Sequence, residues 1–238
     1  MNYTSILVFD LETNGIGDFR PPTQTITQLA FVKFTPEGRV LKEYSQIIKG
    51  ATQIKNHPSV TITLNQIRNE GIDKLQAIQT LINNIDSETL LCSHNFEFDS
   101  GLIKRAIDNS DLSFPNNFGI CTMKASTDYC KLPKLGAASK YPGYKFPTLE
   151  ELANKLNVSI DSSKFHDALY DCHITKECFL QGINNGLFND QWTLTITTKY
   201  KDITDIDNIL FYYKPSVTEI NQKMSRLFQK YSSINSQS

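Results

Sequence analysis

The spacing of apolar and polar positions changes part-way along the chain. Near the N-terminus, Ile6-Leu7-Val8-Phe9 is an unbroken apolar run ending at Asp10-Leu11-Glu12. It predicts a buried strand over residues 4–11. A loop punctuated by Gly15, Gly17, Pro21 and Pro22 follows. Residues 26–34 and 39–48 predict two further strands, with Pro36-Glu37-Gly38-Arg39 as the tight turn between them. The first three strands therefore read as an antiparallel meander.

Beyond residue 70 the period becomes helical. Leu75, Ile78, Leu81, Ile82 and Ile85 share one helix face. Thr89–Ser93 is a short apolar strand, and residues 97–108 form a helix with Leu102, Ile103 and Ala106 inward. Thr148 and Glu151 make a capping box for a helix running to about Leu156. A last long helix spans roughly 168–184 and stops near Gly186. An antiparallel meander followed by alternating helices and strands predicts an α/β layer fold with a mixed sheet.

Residues 1–187 are expected to form one domain and 188–238 a C-terminal extension. In the extension, Thr193–Thr197 alternates as a strand does, and Ile220, Met224, Leu227 and Phe228 suit one helix face. The Ser-rich end is expected to be disordered. Trp192, Leu194, Ile196 and the run 209–213 are too apolar for a solvated linker. They call for a covering surface on the domain, on a second copy or on a partner.

Composition narrows the function. With 238 residues, 39% hydrophobic and 21% charged, the chain can bury a core and is not disordered. Lys and Arg total 24 against 25 Asp and Glu, a net charge of −1. That excludes a protein holding nucleic acid by bulk charge and leaves open an enzyme meeting it at one local, metal-assisted site. No apolar run approaches the ~18 residues of a membrane helix, and the first run is too short for a signal-peptide core. The 5 Cys are an odd number with no two-residue pairing. Free thiols and a cytoplasmic or otherwise intracellular location are expected.

Three short segments carry candidate chemistry. Asp10 and Glu12, two apart at a strand end, project to one side of a sheet. In Cys92-Ser93-His94-Asn95-Phe96-Glu97-Phe98-Asp99 a strand ends, a polar turn follows, and Asp99 falls in the first turn of a helix. In His166-Asp167-Ala168-Leu169-Tyr170-Asp171, His166 and Asp171 converge only if His166 sits in the loop before the helix, with Asp167 near its N-cap. Each segment alone has a plainer reading: a solvated strand end, an acid favouring a helix N-terminus, a loop histidine. Together, in chain order and each where a strand or loop meets a helix, they describe one edge of an α/β sheet. Four converging carboxylates repel strongly, by about 4 kcal/mol per pair at 4 Å and an effective dielectric of 20. Two divalent cations balance them, and oxygen-only ligation suits Mg²⁺ or Mn²⁺. Two such ions stabilise the attacking and leaving oxygens of phosphodiester cleavage. His166 suits the proton of the attacking water.

These residues resemble the DEDDh 3′→5′ exonucleases, the group that includes the proofreading epsilon subunit of bacterial replicative DNA polymerase. Phe9-Asp10-Leu11-Glu12-Thr13-Asn14-Gly15 resembles the first motif, His94-Asn95 with Asp99 the second, and His166 with Asp171 the third. The resemblance covers about residues 4–183. It implies a ribonuclease H-like fold, two Mg²⁺ or Mn²⁺ ions per site, and release of nucleoside monophosphates from 3′ ends. DNA is the favoured substrate, with RNA as the alternative, and a polymerase-associated proofreading role is a further alternative. The resemblance implies Asp10, Glu12, Asp99 and Asp171 as metal ligands and His166 as general base. It places Leu11, Thr13, Asn14, Asn95 and Phe98 at the substrate, and Gln28 at a common second-strand position. The extension is where a polymerase or a second copy would dock. The loop at 128–147 is long for the family. Its Lys131, Lys134, Lys140 and Lys145 are expected to meet the substrate backbone, and Tyr129, Tyr141 and Tyr144 unpaired bases.

Overall fold

A computed structural model describes residues 3–15 and 24–188, together with the backbone of 193–195. The Gly17-to-Pro22 part of the first loop, Trp192, the expected strand beyond Thr195, the run 209–213, the helix around 220–228 and the Ser-rich end lie outside the described residues.

The apolar run at the start forms β1 (Ser5–Thr13), and the meander continues through β2 (Ile26–Phe34) and β3 (Val40–Ile47). Then come α1 (Leu64–Asn69), α2 (Lys74–Ile82), β4 (Thr89–Ser93), α3 (Phe96–Ile107) and β5 (Phe118–Cys121). The short helices α4 (Thr122–Ala125) and α5 (Thr127–Cys130) lead to α6 (Leu149–Lys155) and α7 (Ala168–Asn184). The last described strand is β6 (Thr193–Thr195). The sheet order is β3-β2-β1-β4-β5-β6. β1 pairs antiparallel with β2 and parallel with β4, β4 pairs parallel with β5, and β6 returns antiparallel. This is the mixed, ribonuclease H-like sheet the sequence predicts, and β6 places part of the 188–238 segment in the same sheet.

The period of two divides β1 between two cores. Ile6 and Val8 pack with α6 and α7, while Leu7, Phe9 and Leu11 pack with α2 and α3. Asp10 and Glu12 continue the Ile6–Val8 alternation, so they reach the α7 side at the sheet's edge. Phe9 meets Phe96 edge to face at 5.4 Å, which seats the start of α3 against β1. Gly119 on β5 makes that seat possible, since a Cβ there would lie 2.4 Å from the Phe96 ring.

Three features go beyond the sequence prediction. α1 buries only Ile67, and β5 is four residues long with a glycine inside, so neither shows an apolar period. The expected loop at 128–147 begins inside α5 and carries a 3₁₀ turn at Gly136–Lys140. Tyr129 is not free to stack. It packs against the α6–α7 core, with Lys155 Nζ 5.7 Å from its ring centroid. All five cysteines are buried and unpaired. Among the described residues no helix is long and apolar enough to cross a membrane.

Candidate active site

The ends of β1 and β4 and the starts of α3 and α7 meet at one edge of the sheet. β1 outruns its pairing with β4, which ends at Val8–Cys92, so Asp10 and Glu12 stand beyond the paired region. Both keep some exposure. Asp99 arrives from the first turn of α3 and Asp171 from the first turn of α7, and both are buried. Ser93 at the end of β4 hydrogen-bonds through its hydroxyl to Asp99 Oδ2.

The start of α7 is fixed by a lattice of polar contacts. Asp167 is the N-cap and accepts from the Tyr170 amide at 2.9 Å. Gln28 on β2 donates to Asp167 Oδ2 at 3.1 Å and accepts from the Ala168 amide at 3.1 Å. The sheet thereby holds the helix N-terminus directly. His166 stands before the helix with φ of 69°, a left-handed conformation uncommon for non-glycine residues. Its amide donates to Asp171 Oδ2 at 3.2 Å, and its carbonyl accepts from Thr61 Oγ1 at 2.7 Å. His166 is exposed. Ligand atoms of Glu12, His166 and Asp171 all lie within 4.8 Å of one another.

Charge makes the cluster unusual. Burial, then Asp99, Asp171, Glu12 and Asp167, push Asp10 well above the usual carboxylate range. Burial first, then Asp171, Asp99 and Asp167, push Glu12 up to about 8. Burial raises Asp171 to about 7 against the opposing His166 amide, and raises Asp99 against the Ser93 hydroxyl. Each charged neighbour acting on Asp10 is another acid. Asp171 Oδ1 is buried without a hydrogen-bond partner. Among the described residues, an oxygen-only donor set with an unsatisfied buried oxygen, and with only acids as the charged neighbours acting on Asp10, fits hard divalent cations. Asp10, Glu12, Asp99 and Asp171 are the residues able to hold them. His166 is held below its ordinary range, by burial first and His57 second.

The residues expected at the substrate occupy different environments. Asn95 has φ of 89° at the N-cap of α3, and Phe98 is half-buried one turn in, against the α2–α3 core. Leu11 is in that core. Thr13 is buried, and its Oγ1 accepts from the Gly15 amide at 3.3 Å. The Asn14 side chain ties loops together, accepting from the Thr25 amide at 3.0 Å and donating to Gln53 O at 3.3 Å.

Sequence reading missed several members of the site. Ser93 and Thr61 act through single hydroxyls, which leave no pattern in a sequence. His57 lies in the segment 49–63, whose apolar residues show no period. His94, which the sequence places in the second motif without a role of its own, is half-buried, and desolvation pushes its imidazole down to about 4, so the ring is neutral. Pro147 O, 3.1 Å from Nε2, only accepts, so Nε2 carries the hydrogen and Nδ1 accepts from Thr122 Oγ1 at 3.0 Å.

Comparison with known proteins places the chain in a family and a fold. The family model described as RNase_T exonuclease matches residues 7–179. A Mycobacterium tuberculosis protein named as a bifunctional exonuclease/endonuclease is 24% identical over 178 residues, 72% of this chain. The chain spans only a quarter (25%) of that relative's length. Among solved structures, a full-length 3′-exonuclease superposes with a TM-score of 0.62 at 15% identity, covering 84% of this chain and 93% of the other. The nuclease domain of 3′hExo, a DEDDh family member bound to rAMP, gives 0.60 at 16% identity over 78% and 94% of the two chains. Exonuclease X in complex with 5′ overhanging duplex DNA gives 0.52 at 20% identity over 77% and 94%. At these identities the structural likeness establishes the fold.

Proposed function

The chain belongs to the RNase_T exonuclease family, and from that premise we propose that it removes nucleoside monophosphates one at a time from the 3′ ends of DNA. RNA is the alternative substrate. The observation that carries the reading is the meeting of the four acids at one sheet edge, with ligand atoms of Glu12, His166 and Asp171 within 4.8 Å of one another.

In this reading Asp10, Glu12, Asp99 and Asp171 hold two Mg²⁺ or Mn²⁺ ions. Bound there, the ions would stabilise charge on the attacking and leaving oxygens. His166 accepts the proton of the attacking water at a ring nitrogen. Its left-handed backbone and its amide bond to Asp171 present the ring beside the carboxylates. Leu11, Thr13, Asn14, Asn95 and Phe98 frame the terminal nucleotide. Asn14 does so by fixing the loops that border the site, and Phe98 offers its half-buried ring. Five buried, unpaired thiols support an intracellular setting. A polymerase or a second copy docking on residues 188–238 belongs to the same reading.

The test uses single strands of DNA and RNA labelled at the 5′ end, with Mg²⁺ or Mn²⁺. The expected product is a ladder shortening from the 3′ end, faster on DNA. Internal cuts, shortening from the 5′ end or no cleavage would overturn it. A faster RNA ladder would replace the substrate and keep the chemistry.

A further inference from the structure

Residues 131–147 concentrate two properties that the rest of the chain dilutes. They contain four lysines and no acid, in a protein of net charge −1. They also hold four of the six large hydrophobic side chains exposed among the described residues: Leu135, Tyr141, Tyr144 and Phe146. Tyr141 is 70% exposed and Phe146 53%. A water-facing aromatic cluster of this kind marks an interaction surface.

The loop is shaped and anchored. The Lys145 amide donates to Leu132 O at 2.9 Å and closes its base. Lys134 Nζ donates to Pro142 O at 2.6 Å, and Lys145 pairs with Glu151 at 2.5 Å. These bonds commit Lys134 to the loop and Lys145 to α6, and leave Lys131 and Lys140 exposed. The foot of the loop is tied to the site, since Pro147 O accepts from His94, the neighbour of the Ser93 that holds Asp99. Tyr144 lies three residues from that foot, at most ~10 Å of extended chain.

We propose that this loop is a docking surface for an unpaired nucleic-acid strand leading into the site. Tyr141, Tyr144 and Phe146 stack on bases upstream of the terminal nucleotide, and Lys131 and Lys140 meet its phosphates. This rests on the exonuclease reading and adds a substrate class to it. Alternating lysines and exposed rings suit a strand whose bases are free to stack, which duplex bases are not. A second copy of the loop is a poor occupant, because two acid-free lysine clusters repel. The consequence is length dependence: each added unpaired nucleotide gains a ring until the three rings are used.

Binding of 5′-fluorescein oligothymidylates of two to eight nucleotides, and of a blunt duplex, tests the proposal by anisotropy. The full chain is used with Ca²⁺ in place of Mg²⁺. For the parent, affinity should climb with length and level off near four nucleotides, the terminal one and one for each of the three rings. The triple variant Tyr141→Ala, Tyr144→Ala, Phe146→Ala should lose the climb and bind the longer strands at least about tenfold more weakly, with duplex binding changed far less. It should melt with the parent, as surface substitutions seldom move stability. Lys131→Gln with Lys140→Gln should flatten the salt slope by about 1.4. A parent without length dependence, or a triple variant that keeps it, would overturn the proposal. So would equal weakening on duplex, or a triple variant that binds normally but turns from dimer to monomer. Cleavage of the same strands with Mn²⁺ is read separately. Loop-dependent binding without cleavage would sink the exonuclease reading alone, and cleavage with loop-independent binding would sink this proposal alone.

Discussion

The backbone amide of His166 donates to Asp171 Oδ2 at 3.2 Å, while Asp171 Oδ1 is buried with no partner. One oxygen of this carboxylate orients the histidine segment, and the other has no hydrogen-bond partner among the described residues and is open to a metal ion. Asp171→Asn is therefore expected to lower turnover by more than about 10²-fold, beyond the 10–100-fold typical of losing an outer-shell partner. Asp10→Asn should do the same. Steady-state cleavage rates, with circular dichroism as a check on folding, decide it. Near-normal turnover in either variant removes that residue from the metal ligands.

The acid cluster should make the metal-free protein sensitive to alkali. Glu12 is pushed up to about 8 and Asp171 to about 7, so the folded state binds protons that the unfolded chain releases. A carboxylate with a raised folded pKa contributes stability that fades as pH rises through that pKa. Half-buried His94, pushed down to about 4 by desolvation, acts in the opposite sense, but only below its ordinary 6.5. Melting temperature in EDTA should therefore fall from about pH 6.5 to 9, and Mn²⁺ should restore it. A flat or rising profile would remove the repulsion on which the metal argument depends.

His166→Ala is expected to cost roughly 10²–10⁴ in rate, the usual worth of a general base, with Mn²⁺ affinity largely kept. His166 is held below its ordinary range by burial and by His57. At saturating metal the parent's rate should therefore rise with pH and flatten by about 6.5. An unaffected variant and a pH-independent parent would make His166 a loop residue only.

Gln28→Ala strips the Ala168 amide and Asp167 of their sheet contact. Leaving a buried amide unpaired costs about 1–3 kcal/mol. Activity should fall as well, because His166 and Asp171 both hang on the start of α7. Denaturant unfolding and cleavage rate should move together. Loss of neither would show that Asp167 alone fixes the helix.

Phe188 stacks on Phe179 at 5.4 Å and is 2% exposed, so the chain just past α7 is part of the core. Phe188→Ala should cost about 3–5 kcal/mol. Gly182→Ala should also destabilise, since its Cβ would lie 2.1 Å from the Phe188 ring. Urea unfolding of both variants checks this, and wild-type stability in either would mean that the packing is not maintained in solution.

The fold and the acids were legible because each rests on local signals. The meander, β4, α3 and α7 follow apolar period and caps: Thr148 with Glu151, and Asp167 before α7, are observed as caps. Asp10, Glu12, Asp99 and Asp171 converge as their positions at element ends require. What stayed hidden is non-local. Gln28 and Asp167 are 139 residues apart, and no spacing reveals their bond. Thr61 reaches His166 O from a segment with no periodicity. Tyr129 reads as a free ring, but its place at the end of α5 turns it into the core.

The central claim is metal-dependent removal of nucleotides from 3′ ends at the four carboxylates. The most direct measurement is release of label from a 3′-labelled DNA strand by the full chain, with Mn²⁺ and then with EDTA, beside Asp10→Asn. The predicted result is prompt release of labelled mononucleotide with Mn²⁺, none with EDTA and almost none from the variant. Release that persists in EDTA, or is undiminished in the variant, would contradict it.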